Sequence, residues 1–100
     1  MMPSFEAKVT SIEGLFTISF KVFEDARGSV MEFYRQSEFE AAGLPSLGER
    51  PQVNAPLTVK GGLRGIHAEF AHKLVSVAAG EVYAVIVDLR KDSATSGKWE

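Results

Sequence analysis

Short apolar runs bounded by glycine, proline, asparagine and aspartate recur along this 100-residue chain, and they constrain its fold more than any other feature. Runs of this kind are typical of β-strands. In residues 15–22, apolar and polar side chains alternate, which predicts a strand with one buried face. Because several short strands at close spacing favour a sandwich or barrel, the sequence predicts an all-β fold.

Five more strands are predicted. One comprises residues 30–34, and the others lie at residues 52–59, 63–68, 73–78 and 82–89. Glycine-containing tight turns at residues 61–62 and 80–81 separate them. Residues 82–87 are apolar almost throughout, which predicts that this strand is buried on both faces.

Residues 37–42 form the only predicted helix. Ser37 is placed to cap its N-terminus, and Glu38 and Glu40 suit the positive end of the helix dipole. Gly43 is placed to end the helix, because glycine readily adopts the left-handed conformation there. We expect this helix to decorate a β structure.

Length and composition favour one domain, residues 1–100, of a globular protein. The net charge of −2 argues against binding to nucleic acid or to an anionic membrane surface. The absence of cysteine excludes a disulfide framework and a thiol nucleophile. No apolar run reaches the roughly 20 residues of a membrane helix, and the N-terminus lacks the pattern of a signal peptide. A cytoplasmic protein is therefore expected.

Five segments, read in order, are similar to one enzyme family. The segments are residues 22–32, 52–54, 63–67, 73–77 and 80–99. They resemble the dTDP-4-dehydrorhamnose 3,5-epimerases, and the likeness runs from about residue 16 to residue 100. The resemblance implies a cupin-like jelly roll, a homodimer and no cofactor. It also implies the substrate, a dTDP-4-keto sugar nucleotide whose C3 and C5 centres are inverted.

The same resemblance implies roles for individual residues. His67 is the implied general base, Lys73 lies beside the keto oxygen, and Arg64 contacts the diphosphate. Four further residues match substrate-binding contacts on the nucleotide side, some of which the family makes across the dimer: Arg27, Glu32, Gln52 and Asn54. No residue is expected to bind a metal.

The implied reaction requires residues of these types. Both inverted carbons lie beside the C4 ketone, so imidazole is a suitable base to remove each proton and form an enolate. A fixed ammonium stabilises the charge that develops on the enolate oxygen, and a guanidinium fork suits a diphosphate. Arg64 and His67 would face opposite sides of a flat strand, so we expect a bulge at Gly65 to bring them to one side.

The chain departs from the family in two ways. Only residues 68–72 separate His67 from Lys73, where the family has a longer segment, which leaves the role of Lys73 and the identity of the sugar open. The family's proton-donating tyrosine and the aspartate that orients the histidine belong to its second half. We therefore expect the N-terminal half of such an enzyme, cut short at its C-terminus, with unpaired strand edges that promote self-association.

Three alternatives stay open from the sequence. The first is a non-catalytic nucleotide-sugar-binding or assembly fragment, which would not need the proton donor. The second is a sugar-nucleotide 3,4-ketoisomerase, because that branch has a similar Arg-Gly-x-His stretch. The third is a small metal-binding cupin, since His67, Glu69 and His72 lie close in sequence. Taken alone, His67 also fits a half-buried strand histidine, and Arg27 fits the decoration of a turn.

Overall fold

The computed structural model describes residues 4–100, and its helix and paired strands precede residue 42. In chain order the elements are β1 (Phe5–Val9), β2 (Phe16–Phe20), β3 (Val22–Asp25), β4 (Gly28–Met31) and α1 (Gln36–Ala41). β1 pairs antiparallel with β2, and β3 pairs antiparallel with β4. The predicted class, all-β with one short helix, is confirmed. No helix within residues 4–100 has the length and apolar character to span a bilayer.

The β1–β2 hairpin supplies the sheet that covers the core. Its register places Phe5 opposite Phe20. Apolar residues of β2 are half-buried while the polar residues between them are exposed, which confirms the alternation in residues 15–22. The strand is shorter than predicted. The Lys21 N–H donates to the Ser4 carbonyl at 2.8 Å, and the chain then passes into β3.

A two-residue turn joins β3 to β4, with Asp25 opposite Gly28 in the register. Asp25 Oδ1 accepts the Arg27 N–H at 2.8 Å. Gly28 has a φ of 132°, a conformation that favours glycine. Because β4 ends at Met31, most of the strand predicted at residues 30–34 lies beyond it, and that prediction is wrong in its bounds.

Helix α1 begins one residue earlier than predicted and has no side-chain cap. Its N-cap residue is Arg35, so the prediction that Ser37 caps the helix is wrong, because Ser37 lies in the first turn. The predicted C-terminal end is confirmed: Gly43 has a φ of 80° and donates its N–H to a carbonyl of the last turn at 3.0 Å. The Leu44 N–H donates to the Phe39 carbonyl at 2.9 Å, which completes a Schellman motif.

The core is small and lies between β1 and α1. Phe5, Phe39 and Leu44 are buried there, and half-buried side chains of β2 pack against them. The ring centroids of Phe5 and Phe39 are 4.6 Å apart, and Tyr34 meets Phe39 edge-on at 4.8 Å. Burial of one such ring stabilises a fold by roughly 1.5–3 kcal/mol. These contacts therefore hold the helix to the first hairpin.

Residues 51–86 contain no strand in the structure, although a strand pattern recurs through them. The predictions for residues 52–59, 63–68 and 73–78 are therefore wrong for the described chain. Apolar side chains there face solvent, with Leu57 89% and Leu63 94% exposed. The reason is physical: alternation is a local property, whereas a strand needs a neighbouring backbone to receive its hydrogen bonds. The predicted turn at residues 61–62 does form, since the Gly62 N–H donates to the Val59 carbonyl at 2.9 Å.

The strand predicted at residues 82–89 is reduced to a short pairing near its end. Val87 pairs with Trp99, and the backbones of Ile86 and Glu100 exchange hydrogen bonds of 3.1 and 2.9 Å. We call residues 86–100 the Trp99 hairpin. Tyr83 is 88% exposed, so the prediction that residues 82–87 are buried on both faces is wrong.

Candidate substrate site

Arg27 lies at the tip of the β3–β4 hairpin and pairs with Asp25 of the same turn. Its Nη2 lies 2.6 Å from Asp25 Oδ2, and its side chain is 91% exposed. Hydrogen bonds from Arg27 lower the pKa of the Asp25 carboxyl, and Asp25 in turn raises the pKa of Arg27. The structure thus places Arg27 as a turn residue whose charge is matched by a neighbouring carboxylate.

Glu32 follows β4 and is held by two neighbours. Arg35 Nε and Nη2 donate to its two carboxylate oxygens at 3.0 and 2.8 Å, which makes a bidentate pair. The Ser4 hydroxyl donates to Glu32 Oε1 at 3.3 Å. The hydrogen bonds from Arg35 lower the pKa of Glu32, so this carboxylate is ionised at neutral pH and acts as an acceptor.

Gln52 and Asn54 lie next to each other on an exposed, extended part of the chain. Gln52 Nε2 donates to Asn54 Oδ1 at 3.3 Å. In an extended chain, side chains two residues apart point to the same side, so both amides share one face. This is one pair of predicted site residues that the structure brings together.

Arg64 is fixed by residues on the far side of the turn at residues 59–62. Its Nε donates to Thr58 Oγ1 at 2.7 Å, and its Nη2 donates to the Leu57 carbonyl at 2.8 Å. Gly65 has a φ of 126°, which favours glycine. The bulge expected at Gly65 is absent, however, because residues 63–67 have no paired strand in which a bulge can form.

His67 and Lys73 are both exposed. Lys73 Nζ pairs with Glu69 Oε2 at 3.5 Å, a solvent-exposed contact of the kind that contributes little to stability. Within residues 4–100, no hydrogen bond or ion pair joins His67 to Lys73 or Arg64. In the described chain, the predicted base His67, the ammonium of Lys73 and the guanidinium of Arg64 are therefore not linked directly to one another.

The alternative of a metal site depended on His67, Glu69 and His72 as ligands. Across the part of the chain that the structure describes, no three histidine, aspartate or glutamate side chains are grouped closely enough to hold a metal ion. Glu69 instead pairs with Lys73. The structure therefore offers no geometry that favours this alternative.

Comparison with known proteins assigns the chain to a family. Residues 9–100 match the family model described as dTDP-4-dehydrorhamnose 3,5-epimerase. The chain belongs to this family. The structure contains two antiparallel hairpins and one short helix. Together with membership of the family, these elements identify the fold as an incomplete, cupin-like half of the epimerase jelly roll.

Curated relatives of the epimerase family carry the same description. The dTDP-4-dehydrorhamnose 3,5-epimerase of Methanothermobacter thermautotrophicus is 39% identical over 101 residues, which cover 98% of this chain and 54% of the relative. That of Shigella flexneri is 42% identical over 94 residues, covering 90% of this chain and 51% of the relative. That of Pseudomonas aeruginosa is 42% identical over 83 residues, covering 79% and 45%. The chain thus spans about half the length of these relatives. No solved structure matches it.

This epimerase-family chain also has an open groove whose lining residues are mostly apolar. It runs between β2, the end of β4 and residues 75–77, and it encloses about 310 Å³. Phe20, Met31 and Val75 are among its lining residues, and none of the seven predicted site residues lines it. The groove is therefore an uncovered packing surface rather than the predicted substrate site.

Sequence reasoning missed the side chains that hold the predicted site residues. Asp25 pairs with Arg27, Arg35 pairs with Glu32, and Thr58 holds Arg64. For the two ion pairs the signal was present, since an opposite charge stands two or three residues away. The contact between Thr58 and Arg64 depends on the intervening turn, which spacing alone does not reveal.

A buried carboxylate that the sequence did not point to organises the Trp99 hairpin. The Asp88 side chain is 1% exposed, and its Oδ1 accepts Arg90 Nε at 2.9 Å. Its Oδ2 accepts the Ser93 hydroxyl at 2.5 Å and the Thr95 hydroxyl at 2.7 Å. Arg90 Nη2 also donates to the Glu13 carbonyl at 2.8 Å, which ties this hairpin to the loop between β1 and β2.

The hydrogen bonds from Arg90, Ser93 and Thr95 hold the pKa of Asp88 well below its ordinary range. A carboxyl whose pKa is lower in the folded chain stabilises the fold above its ordinary pKa of about 3.9. That stabilisation diminishes as the pH falls toward the folded pKa. The Trp99 hairpin should therefore weaken in acid.

We predict that Asp88→Asn lowers the urea midpoint at pH 7, and that its difference from wild type is smaller at pH 3. Fluorescence of Trp99, the single tryptophan, reports on this hairpin. Asp92→Asn is the matched control, because Asp92 is exposed and its variant should follow the wild type at both pH values. An Asp88→Asn midpoint equal to that of the wild type at pH 7 would contradict the prediction.

Proposed function

We propose that this chain supplies the base-bearing, N-terminal half of a dTDP-4-dehydrorhamnose 3,5-epimerase, an isomerase. The observation that carries the proposal is the family match across residues 9–100, supported by relatives of that name at 39% and 42% identity. The proposed substrate is a dTDP-4-keto sugar nucleotide, and the proposed chemistry needs no cofactor. One domain, residues 1–100, is proposed to carry these functions in the cytoplasm.

The proposed reaction proceeds by proton transfer beside the C4 ketone. His67 removes the proton from C3 or C5, the electron pair of that C–H bond enters the enolate, and the ketone oxygen becomes negatively charged. Lys73 is proposed to stabilise that oxygen. Its ion pair with Glu69 is exposed, so the ammonium can exchange this partner for a substrate oxygen at little loss. Inversion is completed when a separate donor on the opposite face, a role that the family gives to a tyrosine of its second half, returns a proton to the carbon.

The nucleotide-side contacts are proposed to come from Arg27, Glu32, Gln52 and Asn54, with Arg64 on the diphosphate. Gln52 and Asn54 offer amide donors and acceptors on one face. Glu32 offers a carboxylate kept ionised by Arg35. Arg64 offers a guanidinium whose two contacts, to Thr58 and Leu57, are neutral acceptors. These groups suit a nucleoside diphosphate, which presents both hydrogen-bonding edges and charged oxygens.

A homodimer is proposed to assemble the site. Residues 51–86 have exposed apolar side chains, and their backbone groups lack paired strands in the described chain. Pairing with strands of a second copy would satisfy those groups and cover the apolar faces. It would also flatten the chain around His67 and Lys73 into a sheet, where their side chains can converge on one substrate.

A non-catalytic binding module is the second candidate. The observation that favours it is the pairing of Lys73 with Glu69 rather than with His67. A base without a positioned ammonium or acid cannot control the face of reprotonation. In both candidates Arg64 contacts the diphosphate. Ligand binding therefore tests what the two share, and proton exchange distinguishes them.

We predict that dTDP raises the melting temperature of the chain and that Zn²⁺ and Mn²⁺ do not. A ligand that binds only the folded state, present at 100 times its dissociation constant, adds about 2.7 kcal/mol. Arg64→Gln should remove most of the dTDP effect, while Arg50→Gln, a matched change at another exposed arginine, should retain it. A midpoint raised by a metal and unaffected by dTDP would overturn the proposed function.

We further predict that the chain slowly exchanges the C3 and C5 protons of the 4-keto sugar nucleotide with deuterium oxide, without stereospecific product. NMR of the sugar protons follows the exchange. His67→Asn should abolish it, whereas His72→Asn should leave it unchanged, because only His67 is proposed as the base. Exchange by His67→Asn at the wild-type rate would show that another group removes the proton.

A further inference from the structure

Three arginines in the described part of the chain form bidentate contacts with a carboxylate a few residues away. They are Arg27 with Asp25, Arg35 with Glu32, and Arg90 with Asp88. In each pair the positive charge of the guanidinium is matched at short range. Arg64 differs, because both of its hydrogen bonds go to neutral oxygens.

The geometry of these two bonds leaves one edge of Arg64 open. Nε and Nη2 lie on the side edge of the guanidinium, and they donate to Thr58 Oγ1 at 2.7 Å and to the Leu57 carbonyl at 2.8 Å. The guanidinium has five N–H donors in a rigid plane. Both hydrogens of Nη1 and the second hydrogen of Nη2 remain unused by these two bonds. One Nη1 hydrogen and the second Nη2 hydrogen form the end edge, which faces away from Thr58.

A tight turn makes this contact possible. The Gly62 N–H donates to the Val59 carbonyl at 2.9 Å, which reverses the chain between Thr58 and Arg64. A Cβ on Gly62 would lie 2.9 Å from Thr58 Cγ2 and 2.9 Å from the Val59 carbonyl oxygen. Such distances require something to shift, so the turn needs glycine at residue 62 for Thr58 to reach across it.

We propose that Thr58 is a positioning residue, which fixes the Arg64 guanidinium so that its end edge is presented to the diphosphate of a nucleotide. The inference deepens the proposed function and rests on it. A neutral acceptor orients the guanidinium without matching its charge, whereas a carboxylate in the same place would compete with the ligand. Prior orientation of a flexible arginine also reduces the side-chain entropy lost on binding.

The test compares Thr58→Val, which removes the acceptor at nearly constant shape, with Thr58→Ser, which retains it. Thr17→Val is the matched control, because Thr17 is an exposed threonine on β2 that is outside the proposed site. Titration calorimetry measures binding of inorganic pyrophosphate, dTDP and thymidine. In parallel, ¹⁵N NMR measures hydrogen exchange at the Arg64 Nε–H in the free chain.

We expect Thr58→Val to bind pyrophosphate and dTDP about tenfold more weakly, which corresponds to loss of one hydrogen bond to a charged group. Thymidine, which has no phosphate, should bind all variants alike. Thr58→Ser and Thr17→Val should bind as the wild type does. The Arg64 Nε–H should exchange slowly in the wild type and in Thr58→Ser, and faster in Thr58→Val.

Two contrary outcomes have different meanings. If the wild type binds both anions and Thr58→Val binds them equally well, the proposed function stands and the positioning role of Thr58 is overturned. If the wild type binds neither pyrophosphate nor dTDP, the proposed function itself is overturned, and the role of Thr58 with it.

Discussion

The contact of Phe39 with Phe5 is the interaction on which the ordered part of this chain depends. It joins α1 to the first hairpin, and Leu44 reaches the same core because Gly43 reverses the chain after the helix. An apolar core of three buried side chains is small, so it organises the elements that surround it and little more. The β3–β4 hairpin, which carries Arg27 at its tip, lies next to this unit in the chain.

Outside the core, the extended residues of the described chain have no neighbouring backbone with which to form a sheet. The extended segment from residue 51 to residue 86 has strand-like alternation and apolar side chains, but no ladder within the described chain. This segment contains five of the seven residues proposed to act on the substrate: Gln52, Asn54, Arg64, His67 and Lys73. In the proposed homodimer, pairing of this segment would complete the sheet and assemble the proposed site at the same time. The local pairs, such as Thr58 with Arg64, can prepare individual side chains before that event.

The sequence predicted what depends on neighbouring residues and failed where distant ones decide. The alternation in β2 and the glycine that ends α1 were predicted correctly because each reflects a local property of the chain. Ser37 was assigned the wrong role because the helix begins after Arg35, where no side-chain cap forms. The strands predicted from residue 52 onward were wrong because periodicity records which face of a strand is apolar and not whether a partner is present.

For the site as for the fold, contacts between nearby residues were predictable from the sequence, and contacts that depend on distant residues were not. The site residues were predicted from the resemblance to the epimerase family, and the family match across residues 9–100 supports that resemblance. The roles of the individual residues stay predictions. Local charge pairing, as between Arg27 and Asp25, was readable from the sequence. The buried Asp88 was not, because its burial depends on Arg90, Ser93 and Thr95 folding back over it. Likewise, the strand pairing that is proposed to bring His67 and Lys73 together is not specified by any local pattern.

The central claim is tested most directly by amide hydrogen exchange of residues 52–86. The exchange is measured by mass spectrometry across a range of chain concentrations, with and without dTDP. The claim is that these residues become paired strands when the chain assembles, and that this pairing forms the nucleotide site. We predict rapid exchange in the dilute chain, slower exchange as the chain associates, and the slowest exchange when dTDP is added. Rapid exchange throughout residues 52–86 in a chain that is saturated with dTDP would contradict the account.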